Sequence, residues 1–137
     1  MTGREWRIDL PFTRPLSLND RMHWRTKAKH TKAWRGVAYD LAKREQIPTL
    51  DRFTAVLHYQ PRDNRPRDVD NLVASLKPLV DGLRDAHVAV DDDTTHYTLT
   101  SPQIHRARKG EPGRLWLVVV ELGDESGTQT ALPIGED

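Results

Sequence analysis

The sequence predicts one α/β domain of the α+β kind, a small mixed sheet of about four strands with two main helices in the order β-α-β-α-β-β. Three observations predict it. Phe53, Ala55, Leu57 and Tyr59 alternate with Thr54, Val56, His58 and Gln60, the period of a half-buried strand. Leu72, Leu76, Leu79 and Leu83 recur at four-three-four spacing, the buried stripe of a helix. Leu115 to Leu122 is nearly continuous apolar sequence, read as a strand buried on both faces, central or at a dimer interface. With 137 residues the chain suits a single domain. Its 36% hydrophobic content and mean hydropathy of −0.71 imply a modest core, or one completed by a partner chain.

In chain order, Trp6 to Leu10 alternates apolar and polar and reads as the first strand, closed by Pro11. Phe12 to Leu18 is broken by prolines and reads as a loop. Ser17 or Asn19 is placed to cap a helix running from about Asp20 to Arg44. Trp34, Val37, Ala38 and Leu41 form its apolar stripe, with Ala33 and Ala42 beside it. The first half of that helix is basic and is expected to be less buried, or a flexible arm. Ile47 to Leu50 connects to the second strand, which Pro61 ends. Asp70 or Asn71 is placed to cap the second helix, and Pro78 is expected to bend or divide it. His96 to Thr100 reads as a third strand, and residues 105–113 as a basic Gly/Pro turn. The domain is expected to span 1–123, and 124–137 reads as an acidic, disordered tail.

The absence of cysteine excludes a disulfide frame, a thiolate nucleophile and a Cys-based zinc site. No stretch has the apolar length of a membrane span and no secretory leader is visible, so the expectation is a soluble, cytoplasmic protein. Net charge is +1, unevenly spread. From Arg14 to Arg44 nine Lys/Arg face two Asp, a local charge of +7, whereas Glu111 to Asp137 holds six acids and Arg114 alone, a local charge of −5. Arg21, Arg25, Lys27, Lys29 and Lys32 make the first helix a candidate phosphate-binding element, joined by Arg65 and Arg67 in the polar loop after Pro61. An aromatic ring among such cations suits base stacking, but the stronger expectation for Trp24 is packing into the core. His23 and His30 lack the pattern of a metal site.

Asp68, Asp70, Asp81, Asp91, Asp92 and Asp93 place six carboxylates within 26 residues. Converging carboxylates repel, so gathering them favours a bound divalent cation; hard oxygen ligands favour Mg²⁺, with Mn²⁺ able to substitute. In extended backbone the side chains of Asp68 and Asp70 point the same way, as joint ligation requires. Lys77 and Asp81 stand at i, i+4, which is also the spacing of an ordinary surface ion pair.

At Asp68-Val-Asp70-Asn71, Lys77-Pro-Leu-Val-Asp81-Gly-Leu83 and Asp91-Asp92-Asp93, the chain resembles the RusA family of Holliday junction resolvases, as does the opening Pro15-Leu-Ser-Leu-Asn19. The likeness covers roughly residues 6–122. It implies a homodimeric, Mg²⁺-dependent endodeoxyribonuclease of a bacterium or a phage-infected cell that resolves four-way junctions and related branched DNA by paired symmetric nicks. The catalytic positions it implies are Asp68, Asp70, Lys77 and Asp92, with Asp68, Asp70, Asp91 and Asp92 as the metal set. Lys77 lies seven residues after Asp70, farther than in the family's best-known pattern, and the triple Asp leaves the third ligand between Asp92, which is favoured, and Asp91. Against this stand a non-catalytic, structure-selective DNA-binding module using the basic helix alone, and a reading of the acids as caps and turns. Metal-dependent phosphotransfer through the Asp68/Asp70 pair would want a Gly-rich phosphate loop, which the sequence lacks.

Overall fold

The alternation of Phe53 to Gln60 and the leucine row of the second helix meet in a single core. The structure, a computed structural model, describes residues 4–16, 24–65, 69–88, 97–99 and 101–122, with 69–71 and 97–99 described by their backbone. The elements are β1 (Glu5–Leu10), α1 (Trp24–Arg44), β2 (Phe53–Gln60), α2 (Val69–Asp85), β3 (Tyr97–Leu99), β4 (Gln103–Ile104) and β5 (Arg114–Glu121). The class is α+β, a mixed sheet with two helices. Strand order is β1-β5-β2-β3, with β4 also on β2. The β1, β5 and β2 pairs are antiparallel, whereas β3 and β4 run parallel to β2, the geometry a crossover through α2 provides.

Ile8, Leu10, Phe53, Ala55, Leu57, Tyr59, Leu115, Leu117 and Val119 form the buried face of the sheet. Against it pack Leu72, Leu76, Leu79 and Leu83 of α2 and Trp34, Ala38 and Ala42 of α1, with Val37 and Leu41 partly buried beside them. Each fully buried leucine contributes roughly 1.5–3 kcal/mol relative to exposure. The two helices also join at their surface, where Arg35 donates two hydrogen bonds to Asp85, at 2.6 and 2.8 Å. Those bonds hold the Asp85 carboxyl below the usual carboxylate range.

Five expectations change here. Both helices cover one face, so β5 is central but buried on one side only, and Trp116, Val118 and Val120 are half-buried on the other. Pro78 does not divide α2, which runs unbroken from Val69 to Asp85; the buried leucine row on either side of the lost hydrogen bond holds it continuous. Neither Asp70 nor Asn71 precedes the helix, because both lie in its first turn. The less buried half of α1 is regular helix from Trp24 onward rather than an arm. Trp24 itself is 66% exposed, not in the core, because α1 outruns the sheet's buried face there.

The third strand also has a continuation that local pattern does not reveal. β2 advances three residues from Ala55 to His58 while its neighbour advances four, from Leu99 to Gln103. Pro102, which has no N–H to give the ladder, stands within that offset. Residues 124–137, and the expected tail with them, lie outside the described residues. Among the described residues no helix is long and apolar enough to cross a membrane.

Candidate functional site

Three chain segments meet at one end of the sheet. Leu10 and Gln60 lie opposite Leu115 and Arg114 in the register, so the exit of β1, the exit of β2 and the entry to β5 share that end. Side chains tie the segments together. Gln60, only 6% exposed, accepts a hydrogen bond from Arg114 Nε (2.9 Å) and donates to the Arg106 carbonyl (3.1 Å). Asn64 Oδ1 accepts from the Ala107 amide (2.9 Å), and Asp63 caps its own loop through the amide and guanidinium of Arg65 (both 3.1 Å). Gly113 lets β1's exit press against this turn: a Cβ there would stand 2.2 Å from the Thr13 carbonyl oxygen. Leu16 is fastened to α2 by its amide, which donates to the buried Ser75 hydroxyl (2.9 Å).

The result is a cationic rim. Arg14, Arg62, Arg65, Arg106, Arg108, Lys109 and Arg114 are all exposed there, against Asp63 and Glu111. α2 leads out of the same end. Val69 follows Arg65 by four residues, a span of at most about 14 Å, so the helix start that carries Asp70 adjoins the rim. Sequence reading singled out Arg65, and noted the 105–113 turn as basic without giving it a role; Arg14, Arg106, Arg108, Lys109 and Arg114 were missed. Arg14 follows β1, Arg62 and Arg65 follow β2, and the other four lie in the turn into β5 or open that strand, so only strand pairing brings them to one place.

Of the grouped acids, Asp68, Asp91, Asp92 and Asp93 lie outside the described residues, as do Arg21 and Arg67 of the expected DNA-binding set. Asp70 and Lys77 are seven residues apart on α2, close to two full turns, which puts them on the same side of the helix about 10 Å apart along its axis. Lys77 is 75% exposed at its side chain and stands 3.5 Å from Asp81, while Arg84 approaches Asp81 more closely, at 3.2 Å. A solvated contact this long contributes little to stability, which leaves the Lys77 ammonium accessible to an anion. Among the described residues no three His, Cys, Asp or Glu side chains stand together as metal ligands.

On α1, Arg25, Lys29 and Lys32 recur at i, i+4, i+7 and form one exposed stripe. Lys27 falls on the side that later carries Trp34 and Ala38 and is half-buried. The Arg25 guanidinium lies 5.2 Å from the Trp24 ring centroid. The helix therefore splits the expected DNA-binding set, with three of its described cations together and one apart.

The opposite, uncovered face of the sheet holds a cluster the sequence did not suggest. His58 Nδ1 lies 2.8 Å from His105 Nε2, both rings stack on Trp116, and Arg7 covers the indole at 4.5 Å. Burial, then His105, then Arg7 lower the His58 pKa, with Glu5 opposing. Because the folded value is depressed, this stability is fully present above the unfolded value near 6.5. It is lost as pH falls through that value toward the depressed one. Urea midpoints are expected to be flat from pH 8 to 7 and to fall between 6.5 and 5, with His58→Gln removing part of that fall. An unchanged slope in the variant would reject the assignment.

No family model matches the chain. An uncharacterized protein of Xylella fastidiosa (strain Temecula1 / ATCC 700964) is similar to it, 33% identical over 91 residues, which is 62% of this chain and 59% of that protein. The chain thus spans about three fifths of the length of the relative it matches.

Proposed function

We propose that the protein is a Mg²⁺-dependent endodeoxyribonuclease of the resolvase type, acting on branched DNA as a homodimer. The observation that supports this reading is the meeting of opposite charges at one end of the sheet. An exposed rim of seven Lys/Arg adjoins the helix start that carries Asp70. Cations of that number serve phosphates, and carboxylates beside them serve a metal. The donor set Asp68, Asp70, Asp91 and Asp92 is all hard oxygen, which fits Mg²⁺ and excludes a soft-metal site. Bound there, such a metal supplies an activated water and neutralises the leaving oxygen. The chain's own residues do the rest. Arg62, Arg65 and the 105–113 turn hold the backbone, Lys77 offsets charge on the scissile phosphate, and the Arg25–Lys29–Lys32 stripe extends the track. A two-fold dimer gives two sites for the two opposed nicks of a symmetric junction.

A second reading, a non-catalytic DNA-binding module, is favoured by one observation: the cations and the exposed Trp24 suffice for binding without any carboxylate. A synthetic four-way junction and a linear duplex, each with Mg²⁺ and with chelator, separate the two. Paired nicks confined to the junction with Mg²⁺ are expected. Binding without cleavage in either buffer would leave the module, and a single-chain mass by light scattering would remove the dimer.

A further inference from the structure

Arg14, Arg62 and Arg65, with Thr13, Tyr59 and Gly113, line a cavity of about 490 Å³ at the cationic end of the sheet. Its lining carries three guanidinium groups. Asp63 is shared by Arg65 at 3.1 Å and Arg62 at 3.6 Å, and Arg14 has no ion pair among the described residues. Tyr59, 5% exposed, is part of the cavity lining. The walls are fixed rather than loose. Tyr59 is held in β2 with its carbonyl accepting from the His105 amide at 2.7 Å, and Gly113 brings the Thr13 backbone into contact. Several guanidinium groups around a rigid hollow match the oxygens of a phosphate.

A neighbouring hollow narrows the source of that phosphate. The Thr13–Arg14 wall is common to a second cavity of about 410 Å³ on its other side. That one is apolar and aromatic, bounded by Phe12 and Trp34, whose rings stack at 4.2 Å, with His30 at its edge. A charged hollow and an aromatic one on either side of a single arginine suit a group that is anionic at one end and planar and apolar at the other. That is the chemistry of a nucleotide unit, and a bare phosphate would leave the second cavity unused.

We propose that the Arg14–Tyr59–Arg62–Arg65 cavity seats one backbone phosphate of the bound DNA, with Arg14 between that phosphate and the adjoining base or sugar. This rests on the nucleic-acid part of the proposed function and is independent of cleavage.

The test uses the full chain in chelator, so that no cutting intervenes, with junction affinity measured by fluorescence anisotropy over a salt series. Arg14→Ala is expected to weaken junction binding by roughly tenfold and to reduce the salt slope by about 1, the signature of one lost phosphate contact. Arg62→Ala, in the same lining, is expected to weaken binding and lower the slope likewise. Arg52→Ala, at the other end of β2, is the control and is expected to change affinity less than twofold. Inorganic phosphate, followed by the arginine Nε–H resonances, is expected to shift Arg14 and Arg62 only at millimolar concentration. If Arg14→Ala behaves like Arg52→Ala, the seat is overturned. If inorganic phosphate binds tightly while the variants leave DNA affinity intact, the cavity serves a free anion and the DNA assignment falls. Absence of cleavage by the wild type with Mg²⁺ would remove the nuclease reading and leave these binding outcomes standing.

Discussion

Asp70→Asn is expected to reduce junction cleavage by at least about 100-fold, the scale of removing one well-placed electrostatic group from a reacting centre, while junction affinity stays within about twofold. Asn keeps the size and one oxygen of the carboxylate but not its charge, so it ligates Mg²⁺ poorly. The competing account makes Asp70 a structural acid. It lies in the first turn of α2, where a negative charge favours the helix by about 0.3–1 kcal/mol through the aligned peptide dipoles. The two accounts predict different columns of data. A structural acid lowers the melting temperature slightly and leaves the rate per folded molecule unchanged; a ligand loses the rate at any temperature where the protein is folded. Cleavage at the wild-type rate would remove Asp70 from the metal set, and with it the reading of Asp68-Val-Asp70 as a ligand pair. Loss of binding together with cleavage would point to the DNA-binding module instead.

What was legible in the sequence was what is encoded over a few residues. The period-two run Phe53 to Gln60 fixes β2 end to end, and the four leucines of α2 are each buried as their spacing requires. Apart from the helix boundaries, the misreadings involve a partner distant in sequence. Trp24 carries no sign that the core stops short of it. The apolar run of β5 cannot say that both helices choose the same face of the sheet. Pro78 reads locally as a break, and only the packing of the leucine row overrides it. The parallel addition of β3 and β4 to β2, with its one-residue slip at Pro102, depends on pairing across about 45 residues. The same limit applies to the candidate site. The acids could be grouped by spacing because they are neighbours on the chain. The arginines come from three separate turns, and only the register of β1, β5 and β2 makes them one surface.

Two glycines of the same helical pair give the sharpest check on that packing, because the same substitution should move stability in opposite directions. Gly82 of α2 is buried where the helices cross, and a Cβ there would stand 2.3 Å from the Arg35 carbonyl oxygen, 2.7 Å from Ala38 Cβ and 3.0 Å from the Tyr39 nitrogen. Two of those neighbours are backbone, so no rotamer change relieves the overlap and α1 must move as a body. That movement would pull Trp34 and Ala38 from the core and break the Arg35–Asp85 pair. Helix propensity favours Gly82→Ala by about 0.8–1 kcal/mol, and overpacking of this kind costs about 1–3 kcal/mol, occasionally more where backbone must shift. With two backbone contacts the upper part of that range applies, and a net loss of about 2 kcal/mol is expected. At roughly 3–6 °C per kcal/mol for a domain of this size, the melting temperature should fall by roughly 6–12 °C. Gly36 of α1 meets nothing within 4 Å, so Gly36→Ala keeps only the propensity and chain-entropy gain and should stabilise by about 0.4–1 kcal/mol. Thermal melts of the two single variants measure both signs. If Gly82→Ala also raised the melting temperature, α1 and α2 would not cross through Gly82, and the packing that carries the start of α2 toward the cationic rim would lose its basis.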